Sequence, residues 1–267
     1  MKRIVVSSLM FLALIVLFQS CKKDKQNTQK ESYNTYFKKM GKRHNNMLDY
    51  VASNCCITTA TPFERYSIAK NKLNDNSEWS EIKQMYDFTS SIISNEFKST
   101  NSQIESDYNQ FSKEGIELIN NLIDIFQDSF ENQSITIQEF NQNVDYIIDN
   151  IYNNKEVIFN DNTNTGNEFA YIIAMCFQAK ASFEYWYVAN NDPDHPWYSF
   201  LHSDDNNTSS IRYRSRRRCC RWLRAALADV GGFFSCSDCL EMNERGTTTY
   251  DLGEAWNHAG EVSASVE

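Results

Sequence analysis

Proline and glycine are scarce, with 3 and 8 in 267 residues. Sandwiches and barrels need turn residues at regular spacing, so this scarcity argues against an all-β fold. Basic charge is not in excess. The formal net charge is -9, which argues against a nucleic-acid partner and in itself favours only solubility. Histidine is rare, at 4 residues, leaving little room for imidazole chemistry. Gly-x-Ser-x-Gly, a Walker-type glycine loop, His-Glu-x-x-His and Gly-x-Gly-x-x-Gly are all missing. The common hydrolase, nucleotide, zinc-protease and dinucleotide signatures are therefore absent. Carboxylate pairs carry no signal in a chain this acidic. The expectation is a non-enzymatic protein with no catalytic residue, cofactor or metal site.

The start of the chain is informative. Lys2 and Arg3 precede an apolar run, Ile4 to Phe18, broken only by Ser7 and Ser8, and Gln19-Ser20-Cys21 closes it. Basic, apolar and small-residue parts in this order form a signal peptide over residues 1–20. The run is short of the roughly 20 residues that a bilayer crossing needs. Ser20-Cys21 followed by Lys22-Lys23-Asp24-Lys25 resembles a bacterial lipoprotein signal of the relaxed Bacteroides type. The resemblance implies cleavage before Cys21 and acylation of Cys21. It makes the membrane a partner through the lipidated Cys21 and the cell envelope the location, with the outer membrane expected. Two or three acyl chains hold where one is marginal. The other reading is an ordinary cleaved signal with Cys21 incidental. Lys22 to Lys30 is polar and reads as a flexible tether, residues 21–30.

Removing the signal leaves roughly 247 residues, enough for one sizeable domain or two small ones. Apolar residues recur at three- and four-residue steps from Tyr33 to Val51, from Ile82 to Phe97 after a Ser77 N-cap, and from Ile104 to Phe130. Gly115 marks a kink or boundary in the last of these. Thr136 and Glu139 form a capping box ahead of Phe140, Val144, Ile147, Ile148 and Ile151. Asn153 to Asn167 reads as a polar loop. Glu168 to Val188 is the most apolar helix, with Cys176 on its buried stripe as an inert core thiol. The fold expected is all-α: an antiparallel bundle of four to five helices over residues 31–189, a linker over 190–215, and a poorly defined basic tail over 216–267.

Gly41-Lys42-Arg43-His44-Asn45-Asn46-Met47-Leu48-Asp49-Tyr50 resembles a Gly-x-x-His-Asn-x-x-Leu-Asp-Tyr stretch that opens a group of small uncharacterised Bacteroides-type lipoproteins. In that group the tail often carries Ala-Asp-Val-x-Gly, which Ala228 to Gly232 matches, although Phe233 to Cys239 departs from the Gly/Ala-rich continuation. The resemblance implies a context and no reaction. On the residues alone, His44 and Asn45 read as hydrogen-bonding groups facing a neighbouring helix.

Apart from Cys21, seven of the 8 cysteines remain: Cys55, Cys56, Cys176, Cys219, Cys220, Cys236 and Cys239. Disulfides are the default in an exported chain, and an odd number leaves at least one thiol over. Cys219-Cys220 with Cys236-x-x-Cys239 is half of a zinc ribbon, whose first knuckle would also need two intervening residues. Disulfides, unpaired thiols and a zinc site all stay open. His195, His202, Asp204 and Asp205 have a spacing that matches no known metal site. Arg212, Arg214, Arg216, Arg217, Arg218, Arg221 and Arg224 lie near Trp222 and Leu223. They form either an interfacial membrane helix or a solvated basic face. Two functions follow. The first is a membrane-tethered lipoprotein with a binding or structural role toward an unknown protein partner. The second is a secreted toxin-like protein acting through its Arg/Trp/Gly tail.

Overall fold

The computed structural model describes residues 2–75, 77–80, 82–83, 111–131, 135–203, 211–234, 236, 239–242 and 248–265, with side chains of 2–26, 211–220, 234 and 240–242 left aside. Helix α1 is Lys2–Asn54, α2 Pro62–Leu73, α3 Lys113–Glu131, α4 Ile137–Asn154 and α5 Glu168–Asn191. Then come α6 Tyr198–Leu201, α7 Ile211–Phe234 and α8 Leu252–Ala264. The fold is all-α, as expected. Among the described residues, four short strands accompany the helices: β1 Phe159–Asn160, β2 Thr165–Gly166, β3 Leu240–Met242 and β4 Thr248–Asp251.

Two compact units divide at Phe37 and Lys38. The first is helical throughout its described part, and the Tyr36 ring stands edge-on to Phe37 at 6.0 Å. Lys22 to Lys30, expected as a flexible tether, has helical backbone within α1. Its Lys and Gln residues favour helix, and it has no Gly or Pro to stop one. Cys21 also lies in α1, with its side chain outside those described.

Local sequence starts several of these helices. Thr61 and Glu64 close a capping box ahead of Pro62 at the first turn of α2, where proline's missing N–H costs nothing. The Thr136–Glu139 box opens α4 as read from the sequence. All five apolar residues expected on its stripe, Phe140 to Ile151, are buried. Gly115 sits in the first turn of α3, so the feature there is a helix start, with Ser112 Oγ accepting from the Gly115 N–H at 3.0 Å. Positions 84–110, with most of the Ile82–Phe97 stripe and the start of the Ile104–Phe130 stripe, lie outside the described residues; from the latter, Leu118, Ile119, Leu122, Ile123 and Phe126 are buried on α3.

α5 is buried on nearly every side, from Ala170 to Ala189. A helix that is apolar all round must be enclosed by other elements. Here α4 lies on α5, and the most extensive packing joins α5 to α7 and α7 to α8. The basic tail is thus no appendage. Trp222, Leu223, Leu227, Val230 and Phe233 of α7 are core residues. So are Leu252, Ala255, Trp256 and Val262 of α8. Phe183 of α5 stacks on Phe140 at 3.8 Å and meets the Trp222 edge at 5.1 Å, joining α4, α5 and α7.

α7 and α8 approach at Gly232. A Cβ there would lie 2.5 Å from the Ala259 Cα, so only glycine permits this spacing. The strands form one antiparallel sheet in the order β1-β2-β4-β3. The Asn153–Asn167 loop therefore contains a hairpin, with Asn164 at φ 56. Two-residue strands are too short to show alternation in sequence.

Candidate functional site

The stretch from Gly41 to Tyr50 faces α5, α7 and α8. His44 Nε2 lies 3.3 Å from Asp229 Oδ1, with both side chains essentially fully buried. Its other nitrogen, Nδ1, is 3.1 Å from Asn45 Oδ1. Asn45 donates to the Ala181 carbonyl at 3.2 Å. Tyr185 donates to Asp49 at 2.8 Å, and Trp186 Nε1 donates to Asp229 Oδ2 at 3.3 Å. Burial alone would disfavour the imidazolium, but the Asp229 charge, with the Asp229 and Asn45 hydrogen bonds, outweighs it and raises the His44 pKa. His44-Asn45 and Ala228-Asp229-Val230, far apart in the chain, thus meet across the core. Nothing reaches this imidazole from solvent, so its chemistry is that of a packed ion pair.

A second buried polar chain runs beside it. Trp256 Nε1 donates to Gln178 Oε1 at 2.8 Å, and Gln178 Nε2 donates to Ser182 at 2.8 Å. Arg65, also buried, donates to the Ala264 carbonyl at 2.9 Å and the Ala60 carbonyl at 2.5 Å. It thereby takes an otherwise orphaned carbonyl at the C-terminal end of α8. Its guanidinium stands 4.9 Å from the Phe200 ring, and that of Arg221 stands 5.1 Å from the same ring.

A further polar cluster lies at the junction of α2 and α8, next to an open cleft. Asn74, at φ 58, ends α2. The following Asp75 Oδ1 accepts from the Ser77 N–H at 3.4 Å. Ser77 donates through its hydroxyl to Glu261 of α8, and Lys70 donates to the Ser77 carbonyl. Burial, only partly opposed by the Ser77 hydrogen bond, pushes the Glu261 carboxyl up to about 8. On the same face of α8, His258 Nε2 lies 3.4 Å from Glu254 Oε1. Adjoining this group is a cleft of about 570 Å³ lined by Phe63, Tyr66, Lys70, Glu78 and Trp79. The Trp79 ring is 5.7 Å from Phe63 and 5.3 Å from Tyr66, and Phe63 is half-exposed. Sequence reading missed this junction, although Thr61-x-x-Glu64 and the three-four spacing of Glu254, His258 and Glu261 were available signals.

The other expected positions are scattered. His195 packs against the Tyr185 ring at 5.1 Å and accepts from the Trp197 N–H at 3.3 Å. His202 stacks on Tyr198 at 4.0 Å. Asp204 and Asp205 lie outside the described residues. Cys236 and Cys239 are buried and joined by a disulfide, Cα to Cα 5.3 Å. That bond removes both from any zinc ribbon. Cys55, Cys56 and Cys176 are free thiols, and Cys219 and Cys220 have side chains outside those described. Burial holds the Cys176 thiol far above its ordinary pKa, in keeping with an inert core residue. Outside residues 1–26 and among the described residues, no helix is long and apolar enough to cross a membrane. Comparison of the chain with protein-family models, curated proteins and solved structures finds no match.

Proposed function

We propose that the protein is a lipid-anchored component of a bacterial cell envelope whose helical body has a binding or structural role. The observation that carries this reading is Ser20-Cys21 at the end of a basic-then-apolar stretch. An acylated Cys21 would tether the body without a membrane span. Support for a binding role comes from the Phe63–Trp79 cleft, where exposed aromatic surface sits beside Lys70 and Glu78. Concave sites with a few polar groups are the usual places for ligands. Support for a non-catalytic role comes from the sequestration of His44 and Asp229.

The alternative, a membrane-active tail, loses much of the apolar face that it requires. Trp222 and Leu223 are buried in the core and are not presented to a bilayer. Intact mass and membrane fractionation of the wild type beside Cys21→Ala test the first reading. Acyl mass on a chain beginning at Cys21, with membrane sedimentation lost in the variant, supports it. A soluble, unacylated wild type overturns it.

A further inference from the structure

Asp75, Glu254 and His258 each bring one ligand atom to a common point, with these atoms all within 4.8 Å of one another. We infer that the junction of α2 and α8 is a binding site for a divalent transition-metal cation, held by Asp75, Glu254 and His258 with Glu261 behind them.

The arrangement is built into both elements. Glu254, His258 and Glu261 stand at i, i+4 and i+7 on α8, one face of a helix. The left-handed Asn74 turns the chain so that Asp75 meets that face. The turn is fixed by the Asp75 N–H donating to the Lys70 carbonyl at 3.2 Å and by the Ser77 N–H on Asp75 Oδ1. The 3.4 Å between His258 Nε2 and Glu254 Oε1 matches the edge of a tetrahedron with metal–ligand bonds of about 2.0–2.1 Å. Asp75 is half-buried, and its ligand atom lies within 4.8 Å of those of Glu254 and His258.

Glu261 supplies the independent observation. It is fully buried. Its Oε2 takes the Ser77 hydroxyl hydrogen bond, while its Oε1 has no hydrogen-bond partner among the described residues. Asp75 and Glu254 both act on it electrostatically, and Lys70 opposes them. A buried acceptor without a partner is costly. Asp75 and Glu254 offer two carboxylates, and His258 an imidazole, to a divalent cation. One imidazole with carboxylate oxygens suits zinc, manganese or iron, and lacks the thiolates of a structural zinc knuckle.

The test uses the full chain in detergent, stripped with a chelator and titrated with Zn(II), Mn(II) and Co(II). The expected result is one cation per chain, a rise in melting temperature, and a Co(II) spectrum without thiolate charge-transfer bands. Affinity should fall at least tenfold in both Asp75→Asn and Glu254→Gln. Both residues reach solvent and both replacements are isosteric, so circular dichroism should show an unchanged fold. The absence of stoichiometric binding overturns the inference. So does binding of equal affinity in both variants, or a thiolate band, which would move the cation to the cysteines.

Discussion

His44 Nε2 and Asp229 Oδ1 face each other at 3.3 Å inside the core, one on α1 and the other on α7. Removing one partner of a buried ion pair leaves the other uncompensated, at a cost of roughly 3–5 kcal/mol. Asp229→Ala also strips the Trp186 N–H of its acceptor. Urea unfolding should therefore show Asp229→Ala as strongly destabilised. The paired replacement of both residues by apolar ones should cost less than either single change.

The same pair sets a pH dependence. The folded His44 pKa is raised above the unfolded value of about 6.5. Its contribution is complete below that value and is lost as pH rises through the folded pKa. Stability measured by urea titration should fall in that window above pH 6.5. In Asp229→Asn, where the charge that raises the pKa is gone, the fall should be smaller.

Gly232→Ala reverses an ordinary helix rule. In an exposed helix the change is favourable by about 1 kcal/mol. At Gly232 the new Cβ would sit 2.5 Å from the Ala259 Cα, so α7 and α8 must part. The expected outcome is a lowered melting temperature, and an unchanged or raised one would show that the two helices have room to give.

Thiol reactivity should rank Cys56 above Cys176. Cys56 is exposed, and hydrogen bonds from Thr59 and Thr58 hold its pKa below the ordinary thiol value. Cys176 is buried and its pKa lies far above that value. Timed alkylation of the native protein followed by peptide mass mapping should modify Cys56 early. Cys176 should be modified only on unfolding.

Thr136→Ala removes the hydroxyl that accepts from the Glu139 N–H at 3.2 Å and donates to the Glu139 carboxylate at 2.8 Å. The loss should be about 1 kcal/mol. Thr136→Ser, which retains the hydroxyl, should recover most of it in the same denaturation assay.

These expectations divide between what local sequence carries and what it does not. The sequence alone determined that the chain is helical, because three- and four-residue apolar spacing and the scarcity of glycine and proline act locally. It also determined where α4 begins, since Thr136 and Glu139 bond to each other only three residues apart. The burial of Cys176 was legible too, because it falls on the apolar stripe of the most apolar helix. Tertiary structure decided the rest. The Arg-rich stretch reads as a tail, since its charges dominate the local pattern, yet α7 places Leu223, Leu227 and Val230 in the core. The short strands left no periodic trace. His44 meets Asp229, and Asp75 meets Glu254 and His258, only once α1 and α2 have docked against α7 and α8. Contacts so distant in the chain depend on packing the whole core, and no local period encodes them.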